Sequence, residues 1–344
     1  MKIPVLIPNI FNHPFTYDSD IKLNVGDYVL VPFGKSIITG VVWDHFEKKQ
    51  KKIFKTKKVL KKLDIKSLNE RTIKFLNWLS EYNLIPKGMC LKLHLLSNEG
   101  VVKMKDNDYE YFYTYNEPKK YNLSNEQEKV LKELKINSNK FRVHLLQGTT
   151  GSGKTIIYFN TIKEKIDKNS QALILLPEIG LTKEFEKKFQ QYFGFNPAIW
   201  HSGISKKNKK LIWSGLLNGK IKVVIGARSA LFLPFKKLGI IVVDEEHDQS
   251  YKQDEGIIYN ARDMSISRAF FENIPVNLIT AVPSVETYEN IKKGKYSYSR
   301  LISRFKNAKL PNHEIINLNK YVGFFLMKFS QILLYLQYEL HFGN

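Results

Sequence analysis

The sequence predicts an α/β protein in which a parallel sheet with flanking helices follows a small β-rich domain and a winged-helix-like module. Three observations carry that expectation. A glycine-rich pattern, G-x-x-x-x-G-K-[ST], occupies residues 148–155 between a strand-like and a helix-like stretch. Beyond residue 123, short apolar runs alternate with amphipathic helical patterns, as in parallel sheets with crossover helices. Before residue 45, β-branched runs are instead cut at short intervals by proline and glycine.

In the β-rich domain, 1–45, the candidate strands are 5–7, 28–31 and 37–42, punctuated by Pro4, Pro8, Pro14, Gly26, Pro32, Gly34 and Gly40. The winged-helix-like module, 46–102, begins in a run over 47–66 that holds ten lysines, either a solvated loop and strand or a phosphate-facing edge. Leu68, Ile73, Leu76, Trp78 and Leu79 follow at near-helical spacing, and 82–96 reads as turn and strand. Polar, tyrosine-rich 103–122 reads as a linker. The α/β domain, 123–318, carries strand patterns at 143–146, 172–176, 223–225, 240–243 and 276–279, with helical patterns at 155–168, 181–193, 206–218 and 261–272. The apolar tail, 319–344, has the irregular character of a frame-shifted or prematurely ended reading frame, or is an amphipathic helix over an open edge.

Composition narrows the function classes. With 43% hydrophobic and 25% charged residues, wholesale disorder and collagen-like structure are excluded. The one cysteine, Cys90, excludes an internal disulfide or a multi-cysteine zinc or iron–sulfur site within these residues, and a reducing cytoplasmic setting is expected. No leader pattern opens the chain, and Lys328, Gln331, Gln337 and Glu339 break the most apolar stretch, so no membrane association is expected. The formal net charge of +21 favours polyanionic partners. Only seven of the basic residues are arginine, and such lysine-rich usage also follows from A/T-rich coding, so charge alone names no partner.

The chemistry lies in two motifs. In Gly148-Thr149-Thr150-Gly151-Ser152-Gly153-Lys154-Thr155 the glycines let backbone N–H groups close around a phosphate; Lys154 reaches the β/γ-phosphates and the Thr155 hydroxyl can ligate Mg²⁺. The buried-strand pattern 240–243 ends in Asp244-Glu245-Glu246-His247, which places Asp244 to hold Mg²⁺ and Glu245 to orient or deprotonate an attacking water.

These residues resemble a superfamily 2 helicase motor with a RecA-like lobe, and more narrowly the primosomal protein N′ (PriA) family of replication-restart DNA helicases. The similar words are Leu176-Pro177-Glu178-Ile179-Gly180-Leu181-Thr182, His201-Ser202-Gly203, Gly226-Ala227-Arg228-Ser229-Ala230-Leu231-Phe232, Asp244-Glu245-Glu246-His247, and 250–256 with 259–263. The resemblance implies ATP and Mg²⁺ as cofactors, with Lys154, Asp244 and Glu245 catalytic, and Gln127 as an adenine-reading glutamine. It implies single-stranded DNA contacts by Thr182, Arg228 and Ser229, where capping is the alternative for Thr182 and Ser229. It further implies an aromatic-rich loop in which Tyr251 and Tyr259 stack on bases while Lys252 and Arg262 attend the backbone. Phe15 and Tyr17 match the family's 3′-end-binding words, as stacking rings or as core.

Two departures stand out. Thr16 replaces a family aspartate between the aromatics, and Val282 replaces a hydroxyl residue in Thr280-Ala281-Val282-Pro283-Ser284, the element that relays between nucleotide and DNA sides. The family also carries a zinc module and a second motor lobe with an arginine finger, and the cysteines for the zinc are not among these residues. The implied function is an ATP-dependent 3′–5′ DNA helicase acting on forked and single-stranded DNA in replication restart, with primosome proteins and single-stranded-DNA-binding protein as partners. For these residues, ATP and DNA binding without robust unwinding is expected. The competing readings are a non-catalytic DNA-binding module with a degenerate phosphate loop and a small-molecule P-loop kinase, the latter disfavoured by the acidic quartet.

Overall fold

The computed structural model describes residues 1–45, 56–95, 105–113, 115–136, 138–177 and 182–304. The first part of the lysine run, residues 178–181 of the 176–182 word, and the apolar tail lie outside the described residues.

Strands β1 (Lys2–Leu6), β2 (Phe15–Asp18), β3 (Tyr28–Phe33), β4 (Ser36–Val42), β5 (Lys57–Lys58) and β6 (Lys61–Lys62) form a six-stranded sheet in the order β5-β2-β1-β4-β3-β6. Alternation along the strands gives it two buried faces. Ile3, Val5, Val29 and Val31 close a small core on one side, and Leu6, Tyr28, Val41 and Trp43 face the rest of the protein. The sheet therefore passes the expected boundary at residue 45. Its last strands are two-residue lysine pairs at the edges, too short and too polar to show a hydrophobic period.

Helix α1 (Glu70–Tyr82) starts where the Asn69 side chain accepts from the Thr72 N–H at 2.7 Å, and it buries Ile73, Phe75, Leu76 and Leu79. Helix α2 (Lys87–His94) replaces the turn and strand expected over 82–96. Its apolar residues lack a clear stripe because α2 is covered on several sides. Gly88 permits the approach to the turn that follows β1: a Cβ there would lie 2.2 Å from the Asn9 carbonyl oxygen. The expected linker is also packed. A 3-10 turn (Asp106–Tyr109) and α3 (Glu110–Tyr113) bury Tyr109 and Phe112, and Asn116 N–H donates to the Gly194 carbonyl at 2.7 Å.

Beyond α4 (Asn125–Lys135), the strands β7 (Arg142–Gly148), β8 (Gln171–Leu175), β9 (Ala198–Trp200), β10 (Val223–Gly226), β11 (Leu238–Asp244), β14 (Pro275–Thr280) and β15 (Ser297–Leu301) form one parallel sheet, ordered β15-β7-β14-β11-β8-β10-β9. The expected strands and helices are present, the helices being α5 (Lys154–Asp167), α6 (Lys183–Phe193), α7 (Lys206–Asn218) and α8 (Ala261–Glu272). Strand β8 is buried at every position, which is why its residues after Gln171 read as an unbroken apolar run. The edge strands β9 and β15 and helix α9 (Val285–Lys292) were not legible in the sequence. A short hairpin, β12 (Lys252–Gln253) with β13 (Tyr259–Asn260), stands apart from the large sheet.

The two parts share a buried cluster. Phe75 of α1 stacks on Phe232 with centroids 6.2 Å apart, and the Arg71 guanidinium donates to the Glu272 carbonyl at 2.9 Å.

Candidate nucleotide and DNA site

In a parallel sheet every carboxyl end emerges on one edge. Here β7 delivers the phosphate loop, β11 delivers Asp244, and only β14 lies between them, a separation of about 10 Å at ordinary strand spacing.

The loop fits a phosphate. Gly151 and Gly153 hold left-handed backbone, φ +81° and +88°, and no side chain caps the amino end of α5, so its N–H groups are open to an anion. The Ser152 hydroxyl is buried without a hydrogen-bond partner. Lys154 is buried and folds back, its Nζ donating to the Gly148 carbonyl at 2.7 Å and the Thr149 carbonyl at 3.4 Å. Those are neutral oxygens, which a phosphate would displace to advantage.

Asp244 is held by two donors: the Tyr158 hydroxyl at 3.0 Å and the Glu245 N–H at 3.0 Å. Burial, and then the neighbouring Glu245 charge, push its carboxyl up to about 6; Tyr158, the Glu245 N–H and Lys154 act in the opposite sense. A carboxylate so destabilised is poised to gain from a cation. Tyr158 faces Thr155 as well as Asp244, so the two expected Mg²⁺ ligands share a neighbour. Its position four residues after Lys154, on the same helix face, is the signal by which the sequence could have shown it. Among the described residues, no cluster of three or more His, Cys, Asp or Glu side chains could hold a metal by itself.

Gln127 is not an open adenine edge in this arrangement. Its amide nitrogen donates to the Ser152 carbonyl at 3.0 Å, and its oxygen accepts from the Ser124 N–H at 3.0 Å in a capping box. The side chain braces α4 against the phosphate loop, and a Cβ on Gly153 would come within 2.4 Å of it.

The third acid of the quartet, Glu246, turns out to be a buried hub. It accepts from the Ser284 N–H (2.8 Å), the Ser284 hydroxyl (3.0 Å), the Thr287 hydroxyl (2.9 Å) and the Arg262 guanidinium (3.3 Å). Beside it, His247 Nδ1 lies 2.7 Å from Thr280 Oγ1, which donates to the Val282 carbonyl at 2.8 Å and accepts from the Val282 N–H. The links between the acidic quartet and 280–284 thus run through Ser284 and Thr280, and none of them uses the Val282 side chain.

Of the expected DNA contacts, the structure leaves a subset reachable. Thr182, Ser229 and Lys252 are exposed and Arg228 is half-buried. Thr182 caps α6, accepting from the Phe185 N–H, and the Ser229 hydroxyl accepts from Trp200 Nε1 at 3.0 Å. Arg228 donates to the Lys252 carbonyl at 2.7 Å, tying its turn to the hairpin. Four others are buried. Tyr251 is buried, its hydroxyl donating to the Leu175 and Asp244 carbonyls at 3.0 and 2.5 Å. Tyr259 is buried edge-on against Phe232, Arg262 is buried in the Glu246 hub, and Tyr17 is buried with its hydroxyl on the Pro32 carbonyl. In this arrangement none of the four presents a free face to a base or phosphate, because the hairpin segment and the start of α8 that carry Tyr251, Tyr259 and Arg262 pack inward. Phe15 is half-buried, edge-on to Phe11 and Phe33 at 5.0 and 5.5 Å.

No helix among the described residues is long and apolar enough to cross a membrane. A profile for the DEAD/DEAH box helicase matches residues 124–291, and a profile for the PriA 3′DNA-binding domain (3′BD) matches residues 4–95, which hold all but the first two residues of the first sheet together with α1 and α2. The replication restart protein PriA of Rickettsia conorii is 42% identical over 321 residues, 93% of this chain and 48% of that protein. That of Bacillus subtilis is 38% identical over 185 residues, 54% of this chain and 23% of that protein. Among solved structures, the Pyrococcus furiosus Hef helicase domain is 17% identical, with a TM-score of 0.40 over 55% of this chain and 41% of that one. The chain spans about half the length of the Rickettsia relatives it matches. With a 3′DNA-binding domain followed by a DEAD/DEAH box helicase domain, and that identity along nearly its whole length, the chain belongs to the PriA family of replication restart helicases.

Proposed function

We propose that the phosphate loop and Asp244 form an ATP–Mg²⁺ site that drives 3′–5′ movement on DNA at stalled forks. Forked and single-stranded DNA are the substrates in this reading. Primosome proteins and single-stranded-DNA-binding protein are partners by likeness to the replication restart proteins. The observation that carries it is the juxtaposition just described: an uncapped α5 with an orphaned Ser152 hydroxyl, one strand away from a destabilised Asp244.

When bound, ATP with Mg²⁺ would supply the transferable phosphoryl group. Lys154 would exchange its loop carbonyls for the β/γ-phosphates, Thr155 and Asp244 would hold the cation, and Glu245 would orient water. Gln127 keeps the loop in shape. Thr182, Arg228, Ser229 and Lys252 meet the DNA backbone, and Phe15 supports a terminal base. Among the described residues a single lobe carries the phosphate loop. An arginine supplied from a second lobe is worth about 10³–10⁵ in rate in related sites, so these residues alone bind ATP and turn it over slowly.

Titrating the 344-residue chain with a fluorescent ATP analogue in Mg²⁺ tests this. Saturable binding is expected, lost in Lys154→Ala while the nucleotide-free Tm stays put. If the unmodified chain shows no affinity, the alternative of a non-catalytic DNA-binding module with a degenerate phosphate loop stands instead.

A further inference from the structure

The parallel sheet has a second edge, where the amino ends of its strands meet. That edge is cationic. Arg142 opens β7, Lys168 precedes β8, Lys222 precedes β10, Lys237 precedes β11 and Lys295 precedes β15. Lys165, at the end of α5, is 5% exposed among them.

Little of this charge is neutralised. Lys165 Nζ donates to the Ser138 carbonyl and to the Asn139 amide oxygen, Lys222 Nζ to the Asn169 amide oxygen at 2.8 Å, and Lys237 Nζ to the Lys168 carbonyl at 3.4 Å. Arg142 spends its donors on the Ser297 hydroxyl, the Glu133 carbonyl and the His144 ring. Lys168 alone of these six forms an ion pair, with Glu164 at 2.7 Å. Burial draws both the Lys165 and the Lys222 ammonium groups below their ordinary range; Lys236 adds to this at Lys222, while at Lys165 the Glu164 carboxylate opposes it and Lys168 reinforces it. Within the edge, Arg71, Lys165, Lys168 and Lys237 line a cleft of about 320 Å³ whose one acid is the buried Glu272.

We infer that the amino edge of this sheet is a second polyanion-binding face, fitted to the phosphodiester backbone of duplex DNA. Size excludes a single small anion: from β15 to β10 the edge crosses five strand intervals, about 24 Å, the axial length of about seven base pairs. Chemistry separates the cleft from a single-strand groove, where aromatic side chains stack on bases: no aromatic residue lines it, and Phe141, Tyr296 and Tyr298 are confined to the cavity beside Arg142 and Lys295. The face lies opposite the nucleotide edge, so a duplex arm and a single strand can be held at once. The inference deepens the proposed DNA role and rests on it.

The test compares Lys237→Glu/Lys295→Glu with a control of equal charge change, Lys92→Glu/Lys129→Glu, all four positions being exposed. Anisotropy of a labelled 20-base-pair duplex is followed across a salt series using the 344-residue chain. The slope of log K against log salt is expected to shrink by about 2 in the first variant, roughly 0.9 for each lost phosphate contact, with affinity down more than about tenfold. The control keeps the original slope, and both variants keep ATP-analogue and oligo-dT binding. An unchanged slope in the first variant overturns the inference, as does an equal loss in the control. Loss of oligo-dT binding to the same extent, or of binding to phosphatidylserine vesicles with duplex binding intact, also overturns it. Absence of ATP-analogue binding in the unmodified chain would instead count against the proposed function.

Discussion

Tyr28 and His94 share a buried hydrogen bond of 2.8 Å that joins the N-terminal sheet to α2. His94 carries the connection onward: Nδ1 lies 2.9 Å from the Phe232 carbonyl, and Trp213 Nε1 donates to the His94 carbonyl at 2.9 Å. Because a carbonyl only accepts, Nδ1 bears the proton and Nε2 accepts from Tyr28. The 3′DNA-binding domain is thereby pinned to the turn that contains Arg228 and Ser229.

That ring must stay neutral to stay buried, which makes stability depend on pH. Burial lowers the His94 pKa from 6.5 to about 4. As pH falls below 6.5 the unfolded chain takes up the proton first, so the contribution is complete above about 6.5 and is lost progressively toward 4, at most about 3 kcal/mol. His144, lowered to about 3 by burial and Arg142, acts in the same direction. Urea unfolding at pH 7.5 and 5 should show the loss, and His94→Asn should flatten it in part, leaving the share of His144.

Arg262→Ala is expected to destabilise the fold by about 3–5 kcal/mol, because it strands the buried Glu246 carboxylate. Pairing it with Glu246→Gln in a double-mutant cycle should recover part of that cost. Additive unfolding energies, with DNA affinity reduced instead, would return Arg262 to the DNA surface.

Tyr251→Phe removes the hydroxyl shared by the Leu175 and Asp244 carbonyls. A cost of about 1–3 kcal/mol is expected in chemical denaturation, with affinity for single-stranded oligonucleotides unchanged. A selective fall in that affinity at constant stability would show that the ring swings out to stack.

Cys90 lies buried in α2, and burial pushes its thiol up to about 12. It should resist iodoacetamide at pH 8 in the native protein and react fully in denaturant. Labelling faster than global unfolding would mean that α2 opens on its own, with the His94 connection broken.

Much of this protein is legible as sequence where chemistry is local. The 148–155 word specifies both its glycine conformations and its lysine, and four apolar residues before Asp244 specify a buried strand end. The adjacency of Asp244 to that loop is not local. It depends on β14, more than thirty residues downstream of Asp244, inserting between β7 and β11. Helix α2 shows the converse: with several sides covered it loses the amphipathic stripe that would have marked it.

The sequence by itself determined the domain order, the parallel α/β architecture and the conformation of the 148–155 loop, because glycine spacing and apolar periodicity act over a few residues. Only the tertiary structure decided which polar and aromatic side chains meet solvent. Tyr17, Tyr251, Tyr259 and Arg262 have the composition of a nucleic-acid surface, yet packing against distant strands supplies their partners and buries them. Exposure is a property of that long-range packing, which residue type and spacing do not specify.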